Sequence, residues 1–279
     1  MVLEVMNAPP NTQAAALDVD SAFRCCPIRP SQQPHFVIQW QGLCYIDHAA
    51  PFGAVSSGGV FGRIADATKA ILQHHGIGPC KKWVDDFVFI RKPVIPPSNG
   101  SISYHYSLED IYAITDPLGW PWKHSKTHDF NDEFKYLGFI WSFDRKTITI
   151  PPDKCSRYLT KLSRWNTGQT FTQKDAESLL GTLVHCTLAL PDGRSRLPAL
   201  SRFASSFNYL PQANPFTRRS PSKLVFDDII WWREQLSRET CSSILHSPPP
   251  PLKTELWIDA STGWELELFS ETNGMMEIS

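Results

Sequence analysis

Residues Lys81 to Arg91 read Lys-Lys-Trp-Val-Asp-Asp-Phe-Val-Phe-Ile-Arg, with two adjacent carboxylates set between apolar runs. Trp83-Val84 and Phe87-Val88-Phe89-Ile90 are β-branched and aromatic stretches of the kind that form buried strands. Neighbouring Asp side chains repel each other and resist desolvation, so a hairpin built this way needs compensation for Asp85 and Asp86. A bound cation would supply it. Alternatively, the pair forms the turn of a hairpin with both side chains in water. This stretch by itself is consistent with either.

The rest of the chain constrains the choice. With 279 residues, 42% hydrophobic content and 10 Trp, the sequence is that of a folded protein large enough for one big or two modest domains. Its net charge of −1 hides an asymmetry: Asp153 to Lys223 holds 11 basic and 4 acidic residues, so this segment is +7 and the remainder −8. Seven cysteines without a C-x-x-C spacing read as reduced thiols. No basic-then-apolar leader opens the chain, and no apolar run reaches the roughly 20 residues of a membrane span. Cytosol or nucleus follows by elimination.

In order, Ala14 to Asp20 reads as a buried strand ending in acid, with Asp18 either a ligand or a helix cap. His35–Trp40 and Leu43–Ile46 flank a Gln41-Gly42 hairpin signal. Val60, Phe61, Ile64, Ala67, Ile71 and Leu72 recur at helical spacing up to Gly76. After the acidic hairpin come a Pro-rich loop over 93–103, one or two helical turns over Leu108–Ile114, and an extended piece from Trp120 to Lys126. His124 and His128 lie outside any helical pattern and do not read as a metal pair. Phe134–Trp141 and Thr147–Ile150 read as strands paired around Asp144-Arg145. Pro151-Pro152 then marks a joint. In the helix that follows, Lys154, Arg157, Lys161 and Arg164 share one face, a basic stripe without interleaved acid. Thr172 caps a helix to Leu190 whose apolar face runs through Ala176, Leu179, Leu180, Leu183, Val184 and Thr187. A helix over Leu224–Leu236 carries Asp227-Asp228, which point about 100° apart at helical pitch and read as a solvated face. Four prolines, 248–251, form a stiff linker. Leu256–Ser261 and Trp264–Leu268 close the chain as two strands. The predicted class is α+β with an antiparallel sheet packed on helices.

Strand-then-Asp18, Pro51-Phe52-Gly53 and the Asp85-Asp86 hairpin occur in an order that suits nucleotidyl transfer, which uses two divalent cations about 4 Å apart held by oxygen ligands. At these residues the sequence resembles a reverse transcriptase palm. Asp18-Val19-Asp20-Ser21-Ala22-Phe23 matches the first catalytic motif and Trp83-Val84-Asp85-Asp86 the aromatic-x-Asp-Asp motif. Pro51-Phe52-Gly53 matches the nucleotide-site motif, Lys126 the lysine of the next motif, and Tyr136-Leu137-Gly138-Phe139 the primer-grip turn. The wording of Asp18 to Ile38 and of Ser178 through Arg196 is similar to DIRS-like retrotransposons of the tyrosine-recombinase type.

The resemblance implies an RNA-directed DNA polymerase using two Mg²⁺ ions, with Mn²⁺ as a substitute. Asp18, Asp85 and Asp86 would be the catalytic metal ligands, joined by the carbonyl of Val19. Phe23 would exclude a 2′-hydroxyl, Phe52 and Gly53 would line the nucleotide pocket with Lys126, and Leu137 and Gly138 would form the primer grip. Lys154, Arg157, Lys161 and Arg164 would contact an RNA or DNA template-primer, and deoxynucleoside triphosphates would be substrates. The implied domains are an N-terminal stub over 1–13 with most of the fingers missing, a palm with partial fingers over 14–150, and a helical thumb and connection over 151–246. A Pro-rich linker over 247–253 and a truncated RNase H start over 254–279, with Asp259 as its first carboxylate, complete the set. With 17 residues before Asp18 and two strands of RNase H, the resemblance implies a fragment of weak or no activity. A non-catalytic nucleic-acid-binding remnant and a decayed gene product stay open beside it.

Overall fold

Strand β1 (Gln13–Asp18) and strand β5 (Asp86–Arg91) form the middle of the larger unit, and their sequences explain why. Each is apolar at four consecutive inner positions, all of them buried, so neither strand has a face to offer water. Such continuous apolar runs need layers on both sides. Burying Phe87, Val88, Phe89 and Ile90 contributes roughly 1.5–3 kcal/mol for each side chain. The computed structural model describes residues 1–94, 102–209, 214–246, 256–260, 266–270 and 276–278. It divides into two units, Met1–Leu245 and His246–Ser279.

In the larger unit, helix α1 (Val2–Met6) precedes β1, and a 3-10 turn at Ala22–Cys25 follows it. Next come the hairpin β2 (Val37–Trp40) and β3 (Leu43–Ile46), helix α2 (Ser57–His74), and the hairpin β4 (Cys80–Trp83) and β5. Short strands β6 (Pro93–Val94) and β7 (Ser103–Tyr104) lead to helix α3 (Leu108–Thr115). Strands β8 (His128–Asn131), β9 (Glu133–Tyr136), β10 (Phe139–Ser142) and β11 (Thr147–Thr149) follow. The remainder is α4 (Pro152–Leu162), β12 (Phe171–Thr172), α5 (Gln173–Cys186), α6 (Pro198–Ser205), β13 (Arg218–Arg219), α7 (Lys223–Leu236) and β14 (Ser242–Ile244). The smaller unit is an antiparallel sheet of β15 (Leu256–Ala260), β16 (Leu266–Ser270) and β17 (Met276–Ile278).

The central sheet has the antiparallel order β4-β5-β1-β8, and a second has the order β14-β11-β10-β9. Period-2 alternation splits the core around the central sheet. Ala15, Leu17, Phe87 and Phe89 pack with Phe61, Ala65 and Leu72 of α2 and Ile111 of α3. Ala14, Val88 and Ile90 point the other way, into a core shared with Phe134, Phe139, Leu162, Leu179, Leu183 and Trp232. Pro151 and Pro152 open α4, and residues on both sides of them belong to that one core. Helix α5 carries the predicted capping box, with Thr172 and Asp175 bonding each other's backbone N–H, and α3 has the same device at Ser107 and Asp110. All seven cysteines are free thiols. Among the described residues, no helix is long and apolar enough to cross a membrane.

Several expectations need correction. The buried face of α2 runs through Phe61, Ala65, Thr68 and Leu72, whereas Val60, Ile64 and Ile71 are exposed. Helical spacing fixes a period but leaves the phase open when apolar residues lie on two faces. Val184, read as buried, is exposed on α5. Asp228, read as solvated, is largely covered and pairs with Arg196 at 3.4 Å, while Asp227 does face water. The run Phe134–Trp141 is broken by a turn at Leu137-Gly138, with Tyr136 opposite Phe139. In the smaller unit the second strand runs over Leu266–Ser270 among the described residues, Trp264 lies outside them, and the sequence reading missed the third strand altogether. The four-proline linker lies outside the described residues.

Candidate functional site

Asp18 ends β1 and Asp86 begins β5, and antiparallel register places the two opposite each other. Asp85 sits one residue earlier, in the two-residue turn that joins Trp83 to its partner Asp86. The backbone N–H of Val19 donates to the Asp85 carbonyl at 3.1 Å and that of Lys123 to the Asp18 carbonyl at 2.8 Å, so the turn, strand end and 122–126 segment are laced together. Val84 adopts φ +53, a left-handed conformation rare for a β-branched residue. Such strain costs on the order of 1–3 kcal/mol and persists where the surroundings impose it.

The carboxylates feel one another. Burial raises the Asp86 pKa, the charges of Asp85 and Asp18 raise it further, and Lys126 partly offsets them. Lys126, on a 3-10 turn at His124–Lys126, donates from Nζ to Asp18 Oδ2 at 2.8 Å. That hydrogen bond and the charge of Asp18 hold its ammonium above the ordinary lysine range. Lys123 stands 3.4 Å from Asp20 in a looser, more exposed pair.

A cleft of about 320 Å³ opens on these groups, lined by Asp18, Asp86, Lys126, Tyr136, Leu137 and Gly138 among others. The structure therefore brings Asp18, Asp86, Lys126 and the Leu137-Gly138 turn to one cavity. That turn has positive φ at both residues, +50 and +79, the geometry of a tight type I′ hairpin. Tyr136 also borders the cleft, and burial, then the Asp86 charge, pushes its phenol up to about 12. Three acidic oxygen donors at the end of a rigid sheet suit a hard divalent cation. Among the described residues, however, no three His, Cys, Asp or Glu side chains stand as a ready ion-binding group.

Phe23 and Phe52 meet each other but are not among the residues that line the cleft. Their rings lie 5.1 Å apart edge to face, and Phe61 backs Phe23 at 6.1 Å. Phe52 is 74% exposed, and Gly53 beside it takes φ +89 with nothing within 4 Å of an added Cβ. This is an open apolar shelf.

The four basic residues read as one stripe separate in the structure. Lys154 reaches the Leu137-Gly138 turn so closely that a Cβ on Gly138 would overlap its Nζ. Burial and the Arg157 charge lower its pKa. Lys161 turns to α5, donating to Ser178 Oγ at 2.7 Å and Thr182 Oγ1 at 2.9 Å. Arg157 is exposed, 3.8 Å from Asp153, and Arg164 lies past the end of α4. A basic stripe is a pattern of Cα positions; long flexible stems let adjacent heads go to different partners.

Sequence reasoning missed His185, which stacks on Phe139 with ring centroids 4.3 Å apart. Its Nε2 is buried without a hydrogen-bond partner and would sit 3.4 Å from a Cβ on Gly138. It also missed Arg24 and Asp47, whose pairing across 23 residues leaves no local signal. Asp259 lies on β15, opposite Glu267 of β16.

No protein-family model and no curated protein matches the chain at the level of sequence. Solved structures do match. A foamy viral protease-reverse transcriptase in complex with an RNA/DNA hybrid aligns with TM-score 0.57 at 13% identity over 99% of this chain and 34% of its own. Two further structures of that protein with double-stranded DNA align at TM-score 0.55 and 16% identity, over 99% of this chain and 44% and 52% of theirs. The chain thus spans between a third and about half of the proteins it matches. The fold is reverse-transcriptase-like, a mixed α/β architecture with antiparallel sheets.

Proposed function

We propose that this chain is the reverse transcriptase domain of a retroelement, of the DIRS-like type, and that it extends a primer on an RNA or DNA template by nucleotidyl transfer. One observation carries the reading: Asp18 and Asp86 stand opposed on the two central strands at a cleft that also receives the Leu137-Gly138 turn, and Asp85 directly precedes Asp86 in the turn between β4 and β5. In this reading residues 14–150 are palm with partial fingers and 151–246 thumb and connection. Residues 1–13 are a stub, 247–253 a linker, and the strands after 254 the start of an RNase H domain with Asp259.

Asp18, Asp85 and Asp86, with the Val19 carbonyl, would hold two Mg²⁺ ions, which when bound would lower the charge on the reacting phosphate and activate the primer hydroxyl. The chain's own groups do the positioning. Phe23 and Phe52 form the apolar shelf against which a deoxyribose would rest, with Gly53 allowing close approach. Lys126, released from Asp18, carries a positive charge to the triphosphate. Leu137, Gly138 and Lys154 contact the primer backbone, and Arg157 and Arg164 offer solvent-exposed charge to the template phosphates. Lys161 acts indirectly, by tying α4 to α5.

The test is primer extension on an RNA template with Mg²⁺. Incorporation of deoxynucleotides that is lost in Asp85→Asn supports the proposal, and its absence in the wild-type chain removes the catalytic claim.

A second reading, nucleic-acid binding without catalysis, is favoured by the Lys126–Asp18 ion pair, which engages one of the proposed metal ligands. It requires salt-sensitive template-primer affinity that survives Asp18→Asn and drops on charge reversal at Arg157 and Arg164. Affinity indifferent to salt would count against it.

A further inference from the structure

The 3-10 turn Ala22–Cys25 carries two neighbours with opposite tasks. Phe23 points to Phe52, and Arg24 points to Asp47 at the base of the β2 and β3 hairpin. Arg24 Nη1 donates to both carboxylate oxygens of Asp47 at 2.7 Å and reaches the Ala49 carbonyl at 3.4 Å. Asp47 Oδ1 also accepts the Ala49 backbone N–H at 3.1 Å. The Asp47 side chain is only 6% exposed, although every residue of β2 and β3 is exposed. A carboxylate covered to that degree needs its cation and its hydrogen bonds. Arg24 accordingly holds the Asp47 carboxyl below the usual carboxylate range, helped by the Ala49 N–H.

The pair joins the same two chain segments that bring Phe23 to Phe52. Between them the backbone is stitched by Ala50 N–H to the Cys26 carbonyl at 2.8 Å and Ile28 N–H to the His48 carbonyl at 2.8 Å, and Pro27 bridges Ala49. Phe52 lies five residues beyond Asp47, largely exposed, and its aromatic contact is Phe23. The Pro51 carbonyl just before it accepts a hydrogen bond from the Ser57 hydroxyl at 2.8 Å, so the Arg24–Asp47 pair acts alongside these bonds.

We infer that Arg24 and Asp47 are a positioning pair that sets the spacing of the Phe23–Phe52 shelf, and through it the affinity and sugar preference of the nucleotide pocket. The inference rests on the reading of Phe23 and Phe52 as nucleotide-pocket residues. Neither member of the pair touches nucleotide. Arg24 acts on Phe23 through the shared turn, and Asp47 acts on Phe52 through residues 48–51.

Two measurements test it. In primer extension, Asp47→Asn and Arg24→Gln raise the KM for a deoxynucleoside triphosphate roughly tenfold with kcat changed less than about twofold, the signature of lost binding alignment. Preference over the ribonucleotide narrows in the same variants. Arg24→Lys, which keeps the charge but places a compact ammonium on a different stem in place of the planar guanidinium, falls between. Wild-type KM and sugar preference in folded Asp47→Asn would overturn the inference, as would a parallel loss of kcat in proportion to unfolded protein.

The second measurement needs no activity. With fluorophenylalanine incorporated, the ¹⁹F resonance of Phe52, assigned through Phe52→Leu, is displaced by the Phe23 ring and moves to the solvent-exposed position in Asp47→Asn. An unmoved resonance sinks the positioning claim whatever the enzyme does. A wild-type protein that extends no primer while the resonance moves would leave the spacing role standing and refute the polymerase reading.

Discussion

Replacing Gly138 with alanine probes the junction of the Leu137-Gly138 turn with Lys154 and His185. Two costs arise. At φ +79 an L residue is strained, which costs about 1–2 kcal/mol. The new Cβ would also overlap Lys154 Nζ and come within 3.4 Å of His185 Nε2. The lysine head is the far end of a flexible stem, so it moves aside and the clash adds on the order of 0.5–1 kcal/mol of coupling. Urea unfolding should therefore show a loss of roughly 1.5–3 kcal/mol for Gly138→Ala, but only the strain of about 1–2 kcal/mol when the same change is made in Lys154→Ala. If Lys154 contacts a primer phosphate as proposed, displacing it removes one such contact from the turn. The slope of log affinity against log salt for a template-primer should fall by about 0.9 in Lys154→Ala and by a similar amount in Gly138→Ala. Equal unfolding costs in the two backgrounds, together with an unchanged salt slope in both variants, would refute the placement of Lys154 at the turn and its contact with the primer.

Three further outcomes are expected. Asp86→Asn removes one of three mutually repelling carboxylates, whose burial and neighbours raise the Asp86 pKa, so thermal unfolding should shift upward while primer extension disappears; a lower Tm would show that the charge is already compensated. His185 is held below the ordinary histidine value by burial and then by the Lys154 charge, so its unfolded form takes up a proton first. Stability is then complete above pH of about 6.5 and declines as pH falls from there through the native pKa. His185→Phe keeps the stack on Phe139, and its Tm should lose less than wild type between pH 7 and 5; equal slopes would contradict the buried neutral imidazole. Thr172→Ala removes the oxygen that accepts the Asp175 N–H at 3.2 Å, and chemical denaturation should report a loss of about 1 kcal/mol.

The sequence by itself determined the elements whose burial or capping is local. Continuous apolar runs fixed β1 and β5, because a strand without a polar face has to be central, and the Thr172–Asp175 and Gly-bearing turn signals act within four residues. It also determined that Asp18 and Asp85-Asp86 lie at strand ends, which is where the motif resemblance took hold. What it could not determine depends on contacts between distant segments. The antiparallel register that sets Asp18 against Asp86 joins residues 68 positions apart by numbering, and only the packed sheet decides it. The phase of α2 was settled by which face met Leu17 and Phe87, and the basic residues of α4 were sorted by what stood within reach: a glycine turn for Lys154, α5 for Lys161, solvent for Arg157. The Lys126 ammonium on Asp18 and the Arg24–Asp47 pair likewise exist only once the chain is folded, since an ion pair needs proximity that composition cannot encode.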